Sequence, residues 1–443
     1  MTEQTQQFGI KEGTSARWSC ASRMRFAASP LALLFSLMTI LCATSSPATS
    51  ADRKMNTPRA NETWERFFGG PKRETNFAIA SFLDGSSISV GYTRSKKNGD
   101  ADILLLRLDA SGTLMWQKTY GGDQRDMATS VAILPDGGFV TAAISQPTPD
   151  SQGDALIMRH DKNGSLVWSK TFGGQKYDIP YAIKVGPKGR IIIAGYTKSA
   201  GPGGADGWVF CLNGKGKKVW ERTIGTKGRD WLRALTIRSD GVITAAGGTK
   251  ANKNAKTYSW VVQLDPKGKT IWNKTYRSAE NVARAIIQLK DNQLAIAGWK
   301  LEKDSITGRD IWVAKLNGAG QLIWEKRLGG SGDDHTEALI ALPNGHLALA
   351  GGTTKNLAVI TVRTAWMLRL NKRGKLIWRR SFEGKSDQLY GLSKLPNGKL
   401  VAAGASWRRD KGSDAWVLTL DDLGRRWRKR KSHSKWPSKT AIQ

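Results

Sequence analysis

Short apolar segments separated by turn residues fill most of this chain, and none of them carries the 3.6-residue period of an amphipathic helix. Glycine, asparagine, aspartate and proline bound these segments, as they bound β-strands and hairpins. The pattern therefore predicts four short strands per unit, which we name A, B, C and D in chain order. In one well-preserved unit these four strands cover residues 338–342, 347–351, 366–370 and 376–378.

Tryptophan gives the length of the unit, because one tryptophan marks strand D in every copy. The spacing is 52 residues over five steps and then 54 and 49 residues, so that eight markers enclose seven units. Four short strands repeated seven times are typical of a propeller. We predict an all-β, seven-bladed β-propeller with four antiparallel strands in each blade. The markers are Trp64, Trp116, Trp168, Trp220, Trp272, Trp324, Trp378 and Trp427.

A second tryptophan series occupies strand C. Because a buried indole removes about 200 Å² from water, we interpret both series as packing between blades, with sugar stacking as the alternative. Strand B closes on a glycine in six units, which predicts a crowded position near the propeller axis. The second series is Trp208, Trp260, Trp312, Trp366 and Trp416, and the glycines are Gly91, Gly195, Gly247, Gly298, Gly351 and Gly404.

The two ends of the repeat predict how the ring closes. The first strand D, around Trp64, has no strand C before it, and the last three strands, between about residues 389 and 420, lack a strand D. Trp64 and Trp427 compete for that place, and Trp427 continues into four basic residues. We therefore predict that the Trp64 strand pairs with the strand that contains Trp416, which protects an otherwise open sheet edge.

The N-terminus has the parts of a secretory signal. Arg17, Arg23 and Arg25 precede an apolar run at residues 31–41, which small residues follow. We expect a targeting segment at 1–51, a linker at 52–61, the propeller at 62–424 and a basic tail at 425–443. The protein would then be exported to the periplasm or cell surface without a membrane span after processing. Lipidation at Cys42 and an uncleaved anchor are the alternatives.

The charge is strongly positive. A formal charge of +32 and a pI near 10.2 favour anionic partners. The A–B and C–D hairpins share one end of a propeller, and their basic residues predict a positive face there. This candidate binding face consists of Lys162, Lys188, Arg190, Lys215, Lys217, Lys218, Lys267, Lys269, Lys372, Arg373, Lys375 and Lys399.

Aspartates begin strands A and C, at the end of the propeller opposite these hairpins. We interpret them mainly as turn caps, since aspartate accepts hydrogen bonds from nearby backbone N–H groups. The functional alternative is an acidic rim that holds cations at the channel mouth. The strand A series is Asp126, Asp178, Asp230, Asp334 and Asp387, and the strand C series is Asp102, Asp154, Asp206, Asp310 and Asp414.

Two motifs resemble known repeats. The spacing Leu-Asp-x-x-Gly-x-x-x-Trp at 108–116 and 264–272 resembles the tryptophan-docking motif of quinoprotein-like (PQQ-like) propellers. The glycine pair at 121–122 and 173–174 is similar to that of secreted bacterial β-propeller repeat proteins. The resemblance covers about residues 62–427 and implies a propeller fold and an exported location. Quinoprotein dehydrogenases generally carry adjacent cysteines and a calcium site, whereas only Cys211 follows the signal segment here, so no catalytic, cofactor or metal residue is carried over.

The sequence favours a non-catalytic binding scaffold. It contains no P-loop, no Gly-x-Ser-x-Gly motif and no clustered Cys and His residues. We expect the basic hairpin face to contact anionic envelope material or an acidic protein, with no cofactor. An enzyme or quinoprotein-like redox protein is one alternative, and a protein-docking part of an envelope assembly is another. Export argues against genomic DNA as a partner, and we expect a monomer.

Overall fold

The computed structural model describes residues 63–95, 100–146, 148, 152–301, 308–330, 332–356, 361–382, 386–408 and 412–425. The predicted targeting segment, Cys42, the linker, Trp427 and all of the predicted tail after residue 425 lie outside these ranges. Within them, no helix has the length and apolar character needed to cross a membrane.

The described residues form 28 strands in seven antiparallel sheets of four strands each. Two single 3₁₀ turns, Pro187–Gly189 and Pro343–Gly345, are the helical elements in this part of the chain. The prediction of an all-β, seven-bladed propeller is therefore confirmed. In chain order the strands are β1 (Glu65–Phe68), β2 (Glu74–Ser81), β3 (Ser87–Thr93), β4 (Asp102–Leu108), β5 (Leu114–Tyr120), β6 (Asp126–Ile133), β7 (Phe139–Ser145), β8 (Asp154–His160), β9 (Leu166–Phe172), β10 (Asp178–Val185), β11 (Ile191–Thr197), β12 (Asp206–Leu212), β13 (Lys218–Ile224), β14 (Arg229–Ile237), β15 (Ile243–Lys250), β16 (Tyr258–Leu264), β17 (Thr270–Tyr276), β18 (Glu280–Gln288), β19 (Leu294–Leu301), β20 (Asp310–Leu316), β21 (Leu322–Leu328), β22 (Asp333–Ala341), β23 (Leu347–Asn356), β24 (Thr361–Leu370), β25 (Leu376–Phe382), β26 (Asp387–Lys394), β27 (Leu400–Arg408) and β28 (Gly412–Leu420).

Blades 1 to 6 each take four consecutive strands from β2 to β25, and blade 7 consists of β26, β27, β28 and β1. The first strand of each blade contacts the first strands of both neighbouring blades, and β26 contacts β2. These seven inner strands therefore form a closed ring around a central channel. The buried apolar clusters lie between successive blades, as in the cluster that joins β19 and β20 to β23 and β24.

The ring is closed by the N-terminal strand, as predicted. β1 pairs with β28, with Phe67 opposite Trp416. The Thr419 N–H donates to the Trp64 carbonyl at 2.8 Å. The Trp416 indole N–H donates to Glu65 at 2.9 Å. Trp64 itself is buried, so this strand carries both the backbone ladder and the core of the last blade.

Each strand D tryptophan from Trp64 to Trp378 spans two blades. The Trp220 indole N–H donates to the Pro266 carbonyl in the next blade at 3.1 Å, and the ring covers Gly268 of the same turn. Gly268 has a φ of +80°, and a Cβ there would lie 2.7 Å from the indole. The position therefore needs glycine for both conformation and space. Equivalent indole–glycine contacts join Trp64 to Gly112, Trp116 to Gly164, Trp168 to Gly216, Trp272 to Gly320, Trp324 to Gly374 and Trp378 to Gly424.

The glycines that close strand B lie in a crowded position, as predicted. The atoms that crowd them belong to the backbone of the neighbouring inner strand, where that strand contains a β-bulge. Every inner strand contains one register shift against its neighbour. A Cβ on Gly91 would overlap the carbonyl oxygen of Thr75, and one on Gly247 would overlap that of Trp231. Blade 2 has Ala143 at this position. The bulge therefore favours glycine without requiring it in every blade.

Candidate functional site

One extra residue per inner strand, inserted by the bulge, points towards the propeller axis. All seven of these residues are half-buried, and all seven line a single cavity of about 230 Å³. Bulges redirect side chains in this way beside many functional sites. We call this space the axial cavity, and Met127 and Ile144 complete its lining. The bulge residues are Phe77, Thr129, Tyr181, Arg233, Arg284, Glu337 and Tyr390.

A larger pocket of about 360 Å³ adjoins the axial cavity and extends over blades 3, 4 and 5. The two spaces share Tyr181, Arg233 and Arg284. Among the described residues, this second lining contains five basic and four aromatic side chains and no acidic one. We call it the arginine pocket. Its basic residues are Arg229, Arg233, Lys250, Arg284 and Arg309, and its aromatic residues are Tyr181, Tyr196, Trp231 and Trp299.

Aromatic rings position the cations of the arginine pocket. The Arg233 guanidinium lies 4.3 Å from the centroid of the Tyr181 ring. The Arg309 guanidinium lies 4.6 Å from that of Trp299. Stacking on a ring holds a planar guanidinium by its face and leaves its N–H edge able to donate to an anion. The pocket is therefore suited to carboxylate or other anionic groups.

Glu337 is the acidic residue of the axial cavity. It forms a close ion pair with Arg284, and its other oxygen lies 3.9 Å from Arg233. The His335 ring nitrogen lies 3.6 Å from the same carboxylate. Burial alone would raise the pKa of Glu337, but Arg284, Arg233 and His335 together hold that pKa below its usual value. Two arginines thus share one carboxylate, and the shared wall of the two cavities keeps a net positive charge.

The basic hairpin residues lie at the opposite end of the propeller. Eleven of the twelve predicted residues have exposed side chains, and Lys399 is half-buried. Their turns are capped locally, since the Asn213 side chain accepts the N–H groups of Lys215 and Lys217 at 2.9 and 3.0 Å. These lysines lie in turns of blades 2, 3, 4, 6 and 7, except Lys218, which begins β13 and pairs with Glu221 at 2.7 Å.

The strand A aspartates are buried and hydrogen-bonded to the backbone. The Asp178 carboxylate accepts the Gly174 N–H at 2.8 Å, and Asp230 accepts the Thr226 N–H at 2.7 Å. Asp126 and Asp334 accept the N–H of the same turn position, and Asp387 is also buried. This is the geometry of turn capping. Residues at the start of strand A, such as Met127 and Arg229, line the axial cavity and the arginine pocket at this same end.

One carboxyl pair, in which Asp178 is buried and Asp154 half-buried, should make stability depend on pH. Asp154 and Asp178 lie together at the junction of blades 2 and 3, where a Cβ on Gly173 would overlap the Asp154 carboxylate and lie 2.9 Å from that of Asp178. Burial, and then the charge of Asp178, raise the pKa of Asp154 to about 7 from its usual 3.8. Because the folded state holds this proton more tightly, the stabilisation is present below about pH 4 and is lost as pH rises to about 7.

Asp154→Asn should therefore increase the melting temperature at pH 8 relative to the unchanged chain and have little effect at pH 4. Asparagine keeps the shape of the side chain and removes the charge that burial disfavours. Asp123→Asn, at an exposed position, is the matched control for the change in net charge. Equal shifts for Asp154→Asn at both pH values would contradict the assignment.

Among the described residues, two further histidines and one cysteine have structural surroundings. His160 stacks on Phe139 with ring centroids 4.6 Å apart, and burial lowers its pKa to about 3. His335 lies near the start of β22, whereas His346 lies in the turn that follows the other end of this strand. Cys211 is buried and free. In the described part of the chain, no three Cys, His, Asp or Glu side chains converge in a group that could hold a metal ion.

Sequence reasoning missed both cavities. It assigned positive charge to the hairpins and expected aspartates at the channel end. The signal that could have found the cavities is the position three residues after the strand A aspartate, or after its replacements Glu74 and Asn281. At this position the repeat changes from Phe77 and Thr129 to Arg233, Arg284 and Glu337. A repeat position that changes between aromatic, polar and charged residues from unit to unit indicates a position that core packing does not fix.

Comparisons with known proteins agree with the propeller. No family model matches the chain. The regulatory protein FlaEY of Caulobacter vibrioides is 24% identical, over 65% of this chain and 37% of FlaEY, so this chain spans little more than a third of that relative. The structure of YCF48 bound to D1 peptide has a TM-score of 0.50 and 14% identity, covering 83% of this chain and 99% of that one. Sqt1 of Chaetomium thermophilum has a TM-score of 0.47 and 15% identity, covering 80% and 97%. At these identities the likeness to YCF48 shows the β-propeller fold.

Proposed function

We propose that this chain is an exported, non-catalytic binding scaffold whose arginine pocket binds an acidic segment of a protein partner. The observation that carries the proposal is the lining of that pocket, with five basic side chains, four aromatic ones and no acidic one among the described residues. The expectation of export rests on the N-terminal sequence. The similar propeller of YCF48 was observed with a D1 peptide, so the fold is compatible with this role.

The pocket favours carboxylates for an electrostatic reason. Arg233 and Arg284 share Glu337, whereas Arg229, Lys250 and Arg309 line the same pocket without pairing with that carboxylate. Arginine binds carboxylates through paired, charge-assisted hydrogen bonds, each contributing about 1.5–3 kcal/mol when the donor is charged. The overall charge of +32 would increase the rate of encounter with an acidic partner.

The basic hairpin face is the competing location for the same function. Its lysines project from separate exposed turns, and exposed ion pairs contribute about 0–1 kcal/mol each. We therefore propose that this face attracts anionic envelope material over a longer range, while the arginine pocket provides the specific contact. Attraction of this kind is screened beyond about 8 Å at physiological salt.

A defined acidic probe separates the two locations. The probe is a fluorescein-labelled peptide, Glu-Glu-Gly-Ser-Gly-Glu-Glu, whose binding is followed by fluorescence anisotropy at 50 and 200 mM salt. The double variant Arg229→Ser and Arg309→Ser should bind at least about tenfold more weakly at both salt concentrations, because it removes two charged donors from the pocket. The double variant Lys215→Ser and Lys267→Ser removes the same charge from the hairpin face and should bind nearly as well as the unchanged chain at 200 mM salt.

The result can contradict the proposal in two ways. A larger loss for the hairpin variant would move the site to the opposite end of the propeller. Equal losses for the two variants would mean that the probe responds to net charge alone. Near-UV circular dichroism of both variants checks that the folded state is unchanged.

A further inference from the structure

We propose that the acidic ligand also carries an apolar or aromatic side chain, and that the axial cavity binds it. This inference rests on the proposed function, since it adds a second contact to the same ligand. The ligand class is then an acidic protein segment that contains an aromatic or large aliphatic residue among its carboxylates.

The lining of the axial cavity supports an apolar anchor. Its blade 1, 2 and 7 side consists of Phe77, Met127, Ile144 and Tyr390, with Thr129 as the polar member. The Thr129 hydroxyl is already engaged, since it donates to the Pro180 carbonyl at 2.7 Å. The volume of about 230 Å³ is suited to a single large side chain rather than to a ring system with substituents.

The walls of this cavity are held in place before any ligand arrives. Phe77 packs edge-on against Tyr390 with ring centroids 5.2 Å apart, and it lies 5.7 Å from Tyr92. Aromatic side chains have few rotatable bonds, and mutual packing restricts them further. A preformed apolar cavity binds a side chain with little loss of conformational freedom.

Glu337 determines which part of the ligand enters which space. Its carboxylate faces the axial cavity and repels a second carboxylate there, while it holds Arg284 and Arg233 towards the shared wall. Ligand carboxylates are therefore directed to Arg229, Lys250 and Arg309 in the arginine pocket. The apolar group is left with the axial cavity, which adjoins that pocket through Tyr181, Arg233 and Arg284.

Two peptides of equal charge test the second contact. They are fluorescein-labelled Glu-Glu-Gly-Phe-Gly-Glu-Glu and the serine peptide used above, and the symmetric sequence allows either chain direction. The unchanged chain should prefer the phenylalanine peptide by about tenfold, the ratio expected for burying one aromatic side chain in part. Thr129→Trp fills the axial cavity with an indole and should abolish this preference while the affinity for the serine peptide stays the same.

Two further variants test whether the loss of preference comes from the axial cavity itself. Thr113→Trp places the same indole in an exposed hairpin at the opposite end and should keep the preference. Tyr390→Ser removes apolar surface from the cavity instead of filling it, and it should reduce the preference without blocking access. Retained binding of the serine peptide shows that each variant is folded.

The outcomes distinguish this inference from the proposed function. Equal binding of both peptides by the unchanged chain would overturn the apolar contact and leave the arginine pocket intact. A preference that survives both Thr129→Trp and Tyr390→Ser would also overturn it, because the phenylalanine would then bind elsewhere. Failure of the unchanged chain to bind either peptide would contradict the proposed function itself.

Discussion

Deletion of residues 62–70 should destabilise the whole propeller, whereas deletion of residues 428–443 should leave its stability unchanged. The first deletion removes β1, the outer strand of blade 7. It exposes the edge of β28 and takes away Trp64, which is buried against Leu108, Val401 and Val417. Loss of a buried tryptophan alone costs about 3–5 kcal/mol, a large share of the roughly 5–15 kcal/mol that keeps a typical domain folded.

The second deletion is the control, because it removes more residues than the first and a loss of chain length alone would therefore affect it more. Both variants keep Gly424, whose turn packs against the Trp378 indole, so this contact between blades is not lost in either one. Thermal unfolding followed by near-UV circular dichroism measures the difference, and aggregation through the open edge of β28 should accompany the first deletion. Similar melting temperatures for the two variants would show that β1 does not close the ring.

The sequence predicted the ring and its closure because those features repeat. Seven copies of one tryptophan spacing leave few alternative architectures, and the Trp64 copy keeps the apolar residues that a strand edge needs. The C-terminal copy around Trp427 continues into consecutive basic residues, which are unfavourable in a sheet. Both arguments use only the features that all copies of the repeat share, and a periodic sequence shows shared features most clearly.

The candidate site could not be predicted in the same way, because it depends on the deviations between repeats. A bulge shifts the register by one residue, and in a strand this turns a side chain from one face to the other. Without the bulges, Arg233 and Glu337 cannot be assigned to the channel from alternation alone. The strand A aspartates, in contrast, could be interpreted from the sequence as turn caps, because most repeats place one at the same turn, and Asp178 and Asp230 accept backbone N–H groups there.

The interpretation of the strand C tryptophans as packing leads to the second large expected effect. Trp366 is fully buried in the apolar cluster between blades 5 and 6, beside Leu339, Leu349 and Val313. Trp366→Ala should lower the free energy of unfolding by about 3–5 kcal/mol, through lost contacts and the cavity left behind.

Trp366→Phe should cost clearly less than Trp366→Ala, because it keeps much of the apolar volume and removes an indole N–H that finds no hydrogen-bond acceptor among the described residues. Trp407→Ala is the matched control: this tryptophan is 37% exposed and contacts the Arg73 guanidinium at 4.9 Å, so its removal should cost less than about 1 kcal/mol. Urea unfolding followed by tryptophan fluorescence and by far-UV circular dichroism would measure all three variants. If Trp366→Ala were as stable as Trp407→Ala, the strand C tryptophans would not hold the blades together.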